Sequence, residues 1–140
     1  MSYALITGAS SGIGRHYATE LARRGYDIIA VSNQPEALIT TAEELNTEFG
    51  VNVRTMCVDL ASPASARTMF NECEEQGLEV EVLVCNAGML LFGTLMRTDA
   101  ERLQTIIDLH CTTTTLLVRY FGERMKERGR GKILIMSSST

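Results

Sequence analysis

The sequence lacks the cysteine and histidine spacings that build metal sites and disulfide frameworks. Its four cysteines are Cys57, Cys73, Cys85 and Cys111, with no C-x-x-C pair and no pair of histidines nearby. Zinc sites and small disulfide-linked domains depend on such spacings. Three of the cysteines lie within apolar stretches, which predicts buried, reduced thiols and no bound metal.

The sequence also lacks an excess of positive charge and a long apolar run. Lys and Arg number 13 against 17 Asp and Glu, so the formal net charge is −4. An acidic chain has no overall attraction to nucleic acid or to an anionic membrane. No apolar run approaches the length of a membrane span, and the first apolar strand begins almost at Met1, which leaves no room for a signal peptide. We therefore expect a cytoplasmic protein without a nucleic-acid or membrane partner.

Internal repeats, low-complexity tracts and linkers are missing as well. The chain has 140 residues, of which 45% are hydrophobic and 21% charged, an ordinary globular composition. A chain of this length buries about two-thirds of the surface that its unfolded form exposes. We predict a single domain over residues 1–140.

A glycine-rich stretch that follows the apolar run 3–6 is the most informative part of the sequence. It consists of Thr7, Gly8, Ala9, Ser10, Ser11, Gly12, Ile13 and Gly14. A strand that ends in a glycine turn and feeds a helix directs several backbone N–H groups, and the positive end of the helix dipole, at one point. An anion is the natural ligand of such a turn.

The residue types in this stretch suit a pyrophosphate. Gly8 can adopt backbone angles closed to other residues, Gly12 lets the chain approach the ligand closely, and Gly14 lets the helix pack tightly on the strand. The spacing is G-x-x-x-G-x-G rather than the commoner G-x-G-x-x-G, so the loop is longer. It offers the hydroxyl groups of Ser10 and Ser11 as further donors.

Strands and helices alternate along the rest of the chain. Apolar runs typical of parallel strands buried on both faces lie at 28–31, 80–84 and 132–136, and a β-branched run lies at 51–58. Helical stripes run from Ile13 (with Tyr17 and Leu21) to Gly25, from Pro35 to Gly50, from Pro63 to Glu75, and from Thr98 to Arg128 after a loop at 89–97. This alternation predicts an α/β fold, a Rossmann-like doubly wound parallel sheet with helices on both faces.

Polar or glycine residues follow every predicted strand. They are residues 7–14, then Ser32 and Asn33, then Asp59 and Leu60, then Asn86, Ala87 and Gly88, and finally Ser137 and Ser138. Ligands of open parallel sheets bind beyond the carboxyl ends of the strands, where the winding direction reverses. We therefore expect all five clusters to converge on one edge of the sheet.

The residues after the second predicted strand bear on the choice of nucleotide. Dinucleotide sites that select NAD carry an acidic residue about 20 positions beyond the glycine loop, where it binds the ribose hydroxyls. Ser32 and Asn33 occupy that position here, so no carboxylate repels a 2′-phosphate, although no arginine follows to attract one. The pattern favours NADP over NAD, and a simple polar turn also fits it.

Together these motifs resemble the short-chain dehydrogenase/reductase family, classical type, over the whole chain. The family's T-G-x-x-x-G-x-G corresponds to residues 7–14, its adenine-contacting Asp to Asp59, and its N-N-A-G to residues 85–88. Its catalytic serine, which hydrogen-bonds the substrate oxygen, corresponds to Ser138. The resemblance implies an NAD(P)-dependent oxidoreductase that transfers hydride between the nicotinamide and a small carbonyl or alcohol substrate. It also implies a homo-oligomer, because the helix from Thr98 is similar to the family's subunit-contact helix.

The sequence departs from the family pattern at three places. The family's Tyr-x-x-x-Lys pair, which moves the proton, lies beyond the serine and does not occur in these 140 residues. We therefore expect an inactive fragment of a longer oxidoreductase, truncated after the fifth strand. His110 stands where the family has a catalytic asparagine that helps to hold a proton-relay water, and Cys85 replaces the first asparagine of N-N-A-G. A histidine there could relay a proton or serve a structural purpose.

Two other classes of protein remain open from the sequence. One is a non-catalytic NAD(P)-binding sensor or regulatory module, for which His110 and the short length are native features. The other is a flavodoxin-like domain, although its phosphate loop is usually richer in Ser and Thr and lacks the G-x-x-x-G-x-G spacing. Restored turnover in a longer chain would favour the enzyme, and bound flavin would favour the last class.

Overall fold

A computed structural model describes residues 2–138 and contains five strands. The strands are β1 (Tyr3–Thr7), β2 (Asp27–Ser32), β3 (Val53–Cys57), β4 (Val80–Cys85) and β5 (Lys132–Ile135). They form one sheet in the order β3-β2-β1-β4-β5, and every neighbouring pair is parallel. The winding direction reverses between β1 and β4, so the predicted doubly wound α/β sheet is confirmed.

Within residues 2–138, five α-helices and two shorter helical turns connect the strands. They are α1 (Gly12–Arg23), α2 (Pro35–Phe49), α3 (Ser65–Glu75), a 3₁₀ turn (Leu95–Arg97), α4 (Ala100–Ile107), a π-helical turn (Asp108–Thr112) and α5 (Thr113–Arg128). Gly50 and Gly129 end α2 and α5 in the left-handed conformation, which glycine adopts without a steric penalty. The loop predicted at 89–97 is present and contains the 3₁₀ turn.

The side chains of β1 alternate between two hydrophobic cores, one on each face of the sheet. Ala4 and Ile6 pack in the core that α1 and α2 cover, whereas Leu5 packs in the core that α3 and α5 cover. All three side chains are fully buried. Because both faces are covered, β1 reads as a continuous apolar run rather than an alternating one.

The fifth strand differs from its prediction as a buried strand. Ile133, Leu134 and Ile135 remain 38%, 41% and 53% exposed. The reason is topological, since β5 is an edge strand that pairs only with β4 among the described residues. Among the described residues, the exposure of β5 follows from its place at the edge of the sheet.

The helix predicted from Thr98 to Arg128 is interrupted in the middle. The π-helical turn Asp108–Thr112 separates α4 from α5, so the expected apolar stripe does not continue across it. Thr113, Leu117 and Phe121 are buried in α5, whereas His110 is exposed. A π turn inserts an extra residue into the helical period and rotates the residues on either side relative to each other.

Two smaller predictions are also wrong. Ile13 begins the predicted apolar stripe of the first helix, but its side chain is 56% exposed, because Gly14 faces the sheet in its place. Three of the four cysteines were expected to be buried, but two are: Cys73 and Cys85 are buried, whereas Cys57 and Cys111 are exposed. Cys57 ends β3, the other edge strand, and Cys111 lies in the π turn.

Candidate functional site

A cavity of about 430 Å³ lies at the carboxyl edge of the sheet. Nine of the sequence-predicted site residues line it: Gly8, Ser10, Ser11, Ser32, Asn33, Asp59, Leu60, Ala87 and Gly88. They come from the ends of β1, β2, β3 and β4. The predicted convergence of these four clusters on one edge is therefore seen in the structure.

The glycine loop owes its shape to three glycines. Gly8 and Gly12 have φ angles of 68° and 55°, which L side chains rarely adopt. At Gly14 a Cβ would lie 2.6 Å from Asn86 Nδ2 and 2.8 Å from the carbonyl carbon of Gly8. No side chain fits there, so α1 begins directly against the end of β1.

The first turn of α1 leaves backbone donors available to a ligand. Ser11 is the N-cap residue, and its side chain makes no capping hydrogen bond. The first N–H groups of a helix have no partner within the helix, and the helix dipole makes this end positive. The loop can therefore bind an anionic group such as a pyrophosphate.

Thr7 joins the two strands at which the winding direction reverses. Its hydroxyl oxygen accepts hydrogen bonds from the backbone N–H groups of Asn86, at 2.9 Å, and of Ala87, at 3.0 Å. Thr7 itself is buried. Thr7 and Asn86 do not line the cavity, and they act by holding the glycine loop against the segment that follows β4.

The end of the cavity near β2 is built from neutral polar groups. The hydroxyls of Ser10 and Ser32 are 2.8 Å apart, and Ser32 also accepts a hydrogen bond from the backbone N–H of Gln34 at 3.1 Å. Asn33, which lies between Ser32 and Gln34 in sequence, also lines the cavity. No side chain in this group carries a negative charge, which leaves room for an anionic group of a ligand.

Two side-chain hydrogen bonds help to hold the loop after β3. Asp59 Oδ1 accepts from the backbone N–H of Ala61 at 3.0 Å, and the carbonyl of Leu60 accepts from Thr113 Oγ1 at 2.5 Å. Thr113 is buried and begins α5. Packing of α5 against the sheet therefore fixes the cavity wall that Asp59 and Leu60 form.

His110 contacts the cavity wall from the π turn. Its Nε2 atom lies 3.0 Å from both the backbone nitrogen and the carbonyl oxygen of Met89. Its ring also covers Gly88, where a Cβ would lie 2.7 Å from Cε1. Beyond Met89 the loop exposes four large apolar side chains, Leu90, Phe92, Leu95 and Met96.

Ser138 lies outside this cavity. It is exposed, three residues beyond the end of β5, and it is not among the residues that line the cavity. The residues before Ser138 lie beside the end of β4, since the Met136 N–H donates a hydrogen bond to the carbonyl of Cys85 at 3.0 Å. The catalytic role that the family resemblance implies for Ser138 stays a prediction.

The structure adds cavity residues that the motifs did not identify. They are Gln34, Val58, Ala61, Met89, Thr105 and Leu109. Thr105 and Leu109 reach the cavity from α4 and the π turn, which is a tertiary arrangement without a local sequence signal. Gln34, Val58, Ala61 and Met89 each adjoin a predicted cluster, so their proximity could have been read from the sequence.

The thiol of Cys85 does not contribute a nucleophile at this edge. Burial raises the pKa of Cys85 to about 11, so the thiol stays protonated at neutral pH. Over residues 2–138 no group of three His, Cys, Asp or Glu side chains is arranged to hold a metal ion. In the same range, no helix is both long enough and apolar enough to cross a membrane.

A parallel sheet with a glycine turn at the reversal of winding, and a cavity across its carboxyl edge, defines the dinucleotide-binding class of α/β domains. The family model for short chain dehydrogenase matches residues 2–140. The chain belongs to the short-chain dehydrogenase family, as the motifs indicated.

Two individual members of the family are similar to this chain in sequence. The chain is 32% identical to a very-long-chain 3-oxoacyl-CoA reductase of Aspergillus fumigatus over 98% of its own length and 40% of that protein. It is 35% identical to 17-beta-hydroxysteroid dehydrogenase type 3 of Rattus norvegicus, over 97% of its length and 44% of that protein. The chain thus spans less than half the length of these curated relatives.

A solved structure supports the fold over nearly the whole chain. It is a short-chain dehydrogenase from Sphingobium yanoikuyae in complex with NADPH, with a TM-score of 0.91 and 35% identity. The match covers 99% of this chain and 54% of that one. The five-stranded sheet described above is therefore the nucleotide-binding architecture of a known family.

Proposed function

We propose that a protein carrying this chain transfers hydride between the nicotinamide of NADP and the carbonyl or alcohol carbon of a small-molecule substrate. One observation carries the proposal: a single cavity joins the glycine loop of β1 to the polar ends of β2, β3 and β4. The glycine loop fits a pyrophosphate, because Gly14 leaves no space for a side chain at its base and α1 offers free N–H groups. NADP, when bound, supplies the hydride acceptor or donor.

Each part of the cavity has a task in this proposal. The loop of residues 7–14 binds the pyrophosphate, and Ser32 and Asn33 accommodate the phosphate on the adenosine ribose. Asp59 and Leu60 contact the adenine, and Ala87 and Gly88 lie toward the nicotinamide, with Asn86 behind them holding this segment against the glycine loop. The short-chain dehydrogenase from Sphingobium yanoikuyae, whose solved structure is in complex with NADPH, supports a nicotinamide cofactor.

The preference for NADP over NAD rests on the neutral groups near β2. Ser10, Ser32 and Asn33 present hydroxyl and amide groups, and a carboxylate there would repel a 2′-phosphate. The test is a fluorescence titration of the chain with NADPH and NADH. We expect Ser32→Asp to weaken NADPH binding by about tenfold, or about 1.4 kcal/mol, while Ser32→Thr retains it. Equal losses for NADPH and NADH in Ser32→Asp would refute the assignment of this end of the cavity.

Proton transfer needs groups that these 140 residues do not contain. Ser138 is proposed to hydrogen-bond the substrate oxygen, since its hydroxyl can donate and accept without ionising. No tyrosine in the sequence has a lysine four positions later. We therefore propose that the 140-residue chain binds the cofactor but is inactive by itself, and that a longer, cytoplasmic, homo-oligomeric protein carries the activity.

Two experiments separate this enzyme from a non-catalytic NADP-binding sensor. The first measures NADPH oxidation with a panel of ketones for the chain and for a version extended through a downstream Tyr-x-x-x-Lys pair. Turnover only in the extended version supports the proposal, whereas NADPH binding without turnover in both favours the sensor. The second compares Ser138→Ala with the unchanged extended protein, and undiminished turnover would refute the task given to Ser138.

A further inference from the structure

We infer that His110 is a positioning residue that holds the backbone of Met89, and with it the start of the apolar loop 89–97, at the mouth of the cavity. The inference begins with one atom. His110 Nε2 lies 3.0 Å from Met89 N and 3.0 Å from Met89 O, so a single ring nitrogen faces the donor and the acceptor of one residue. Among the described hydrogen bonds, these are the contacts that join the π turn to this loop.

One imidazole nitrogen can satisfy only one of these two groups at a time. When Nε2 carries no proton, it accepts a hydrogen bond from the Met89 N–H. When Nε2 is protonated, it donates to the Met89 carbonyl instead. A side-chain amide differs, because its oxygen can accept from the N–H while its NH₂ group donates to the carbonyl. His110 therefore holds Met89 with one hydrogen bond where an asparagine could make two.

The ring also determines which residue can precede Met89. A Cβ at position 88 would lie 2.7 Å from His110 Cε1, and 3.4 Å and 3.5 Å from Nε2 and Nδ1. The imidazole thus lies directly over the backbone of Gly88. Since Gly88 lines the cavity, the position of the ring is coupled to the shape of the cavity wall.

The π turn places the ring and is itself held on both sides. His110 is the central residue of the turn Asp108–Thr112. Asp108 Oδ1 accepts hydrogen bonds from Gln104 Nε2, in α4, at 3.1 Å and from Thr112 Oγ1 at 3.0 Å. A π turn is an uncommon local geometry that often occurs at functional sites. Here it directs His110 at the loop rather than along the buried stripe of α5.

The experiment compares three variants of His110 in the folded chain without cofactor. Amide hydrogen exchange of Met89 is measured for His110→Asn, His110→Phe and His110→Ala. We expect His110→Asn to keep or increase the protection of the Met89 amide. His110→Phe and His110→Ala should reduce it by roughly two- to tenfold, the loss expected for one hydrogen bond. Far-UV circular dichroism confirms that each variant is folded.

The phenylalanine variant separates hydrogen bonding from packing. It fills the space of the ring but has no nitrogen, so retained protection in His110→Phe together with lost protection in His110→Asn would overturn the inference. If a variant unfolds, Gly88→Ala gives a second test. Gly88→Ala alone should disturb the loop, and the double variant with His110→Ala should match His110→Ala alone in Met89 exchange, because removal of the ring removes both the clash at Cε1 and the hydrogen bond to Met89. A double variant that exchanges Met89 faster than His110→Ala alone would also overturn the inference.

The consequence for the cofactor rests on the proposed function, and a separate measurement tests it. NADPH titrations of the same variants should give unchanged affinity for His110→Asn and weaker affinity for His110→Phe. The hydrogen-exchange experiment needs no cofactor, so the two results can fail independently. Altered exchange without any NADPH binding would support the positioning of Met89 by His110 and would refute the proposed function. Unaltered exchange with normal NADPH binding would refute the positioning of Met89 by His110 and would retain the proposed function.

Discussion

Substitution of Gly14 by alanine tests how tightly α1 approaches β1. Gly14 lies inside α1 and is buried. In a helix, alanine is ordinarily more favourable than glycine by about 1 kcal/mol, because glycine loses more backbone entropy on folding. Without tertiary structure, Gly14→Ala would therefore be expected to stabilise the chain.

The structure reverses the expected sign. The added Cβ would lie 2.8 Å from the carbonyl carbon of Gly8, which is 0.6 Å closer than the 3.4 Å at which ordinary contact begins, and 2.6 Å from Asn86 Nδ2. The Gly8 oxygen would be closer still. Gly8 is backbone and cannot rotate away, so the helix or the loop must move. Overpacking of this kind costs about 1–3 kcal/mol and exceeds the gain in helix propensity.

A second helical glycine supplies the matched control. Gly122 lies inside α5, and a Cβ there would meet only Ile133 Cδ1, at 3.7 Å. We expect Gly122→Ala to raise the free energy of unfolding in urea by about 0.5–1 kcal/mol. Gly14→Ala should lower it by about 1–2 kcal/mol and should also weaken NADPH binding, since the phosphate loop must shift. Equal effects of the two substitutions would refute the argument from close approach.

Two further predictions concern the ends of β1 and the cysteines. Thr7→Val should lower the free energy of unfolding by about 1–3 kcal/mol, because two backbone N–H groups lose their acceptor. Thr7→Ser should retain most of the stability. Equal urea midpoints for the two variants would contradict this prediction. Burial raises the pKa of Cys73 to about 12 and of Cys85 to about 11, so both thiols are protonated at pH 8. A thiol reagent at pH 8 should therefore modify the exposed Cys57 and Cys111 in the native chain and all four cysteines in urea; mass spectrometry of the modified peptides identifies the sites.

The sequence alone was sufficient for the features that depend on local periodicity. Glycine turns, apolar runs and helical stripes indicated the five strands and the helices α1, α2 and α3, because a parallel strand buried on both faces and an amphipathic helix each have a distinctive pattern. The same logic located four of the five polar clusters around one cavity, since parallel strands present their carboxyl ends at one edge. The clusters around Gly8, Ser32, Asp59 and Gly88 all follow from this rule.

Tertiary structure alone decided the features that depend on which elements become neighbours. Ile133 and Ile135 were expected to be buried and are exposed, because β4 is the one strand that pairs with β5 among the described residues. The π turn is an irregularity of backbone hydrogen bonding, and residue types do not record it. It directs His110 to a contact with Met89, a residue 21 positions away in sequence. The distance between the π turn and the segment at Met89 is set only when the folded sheet brings the two together.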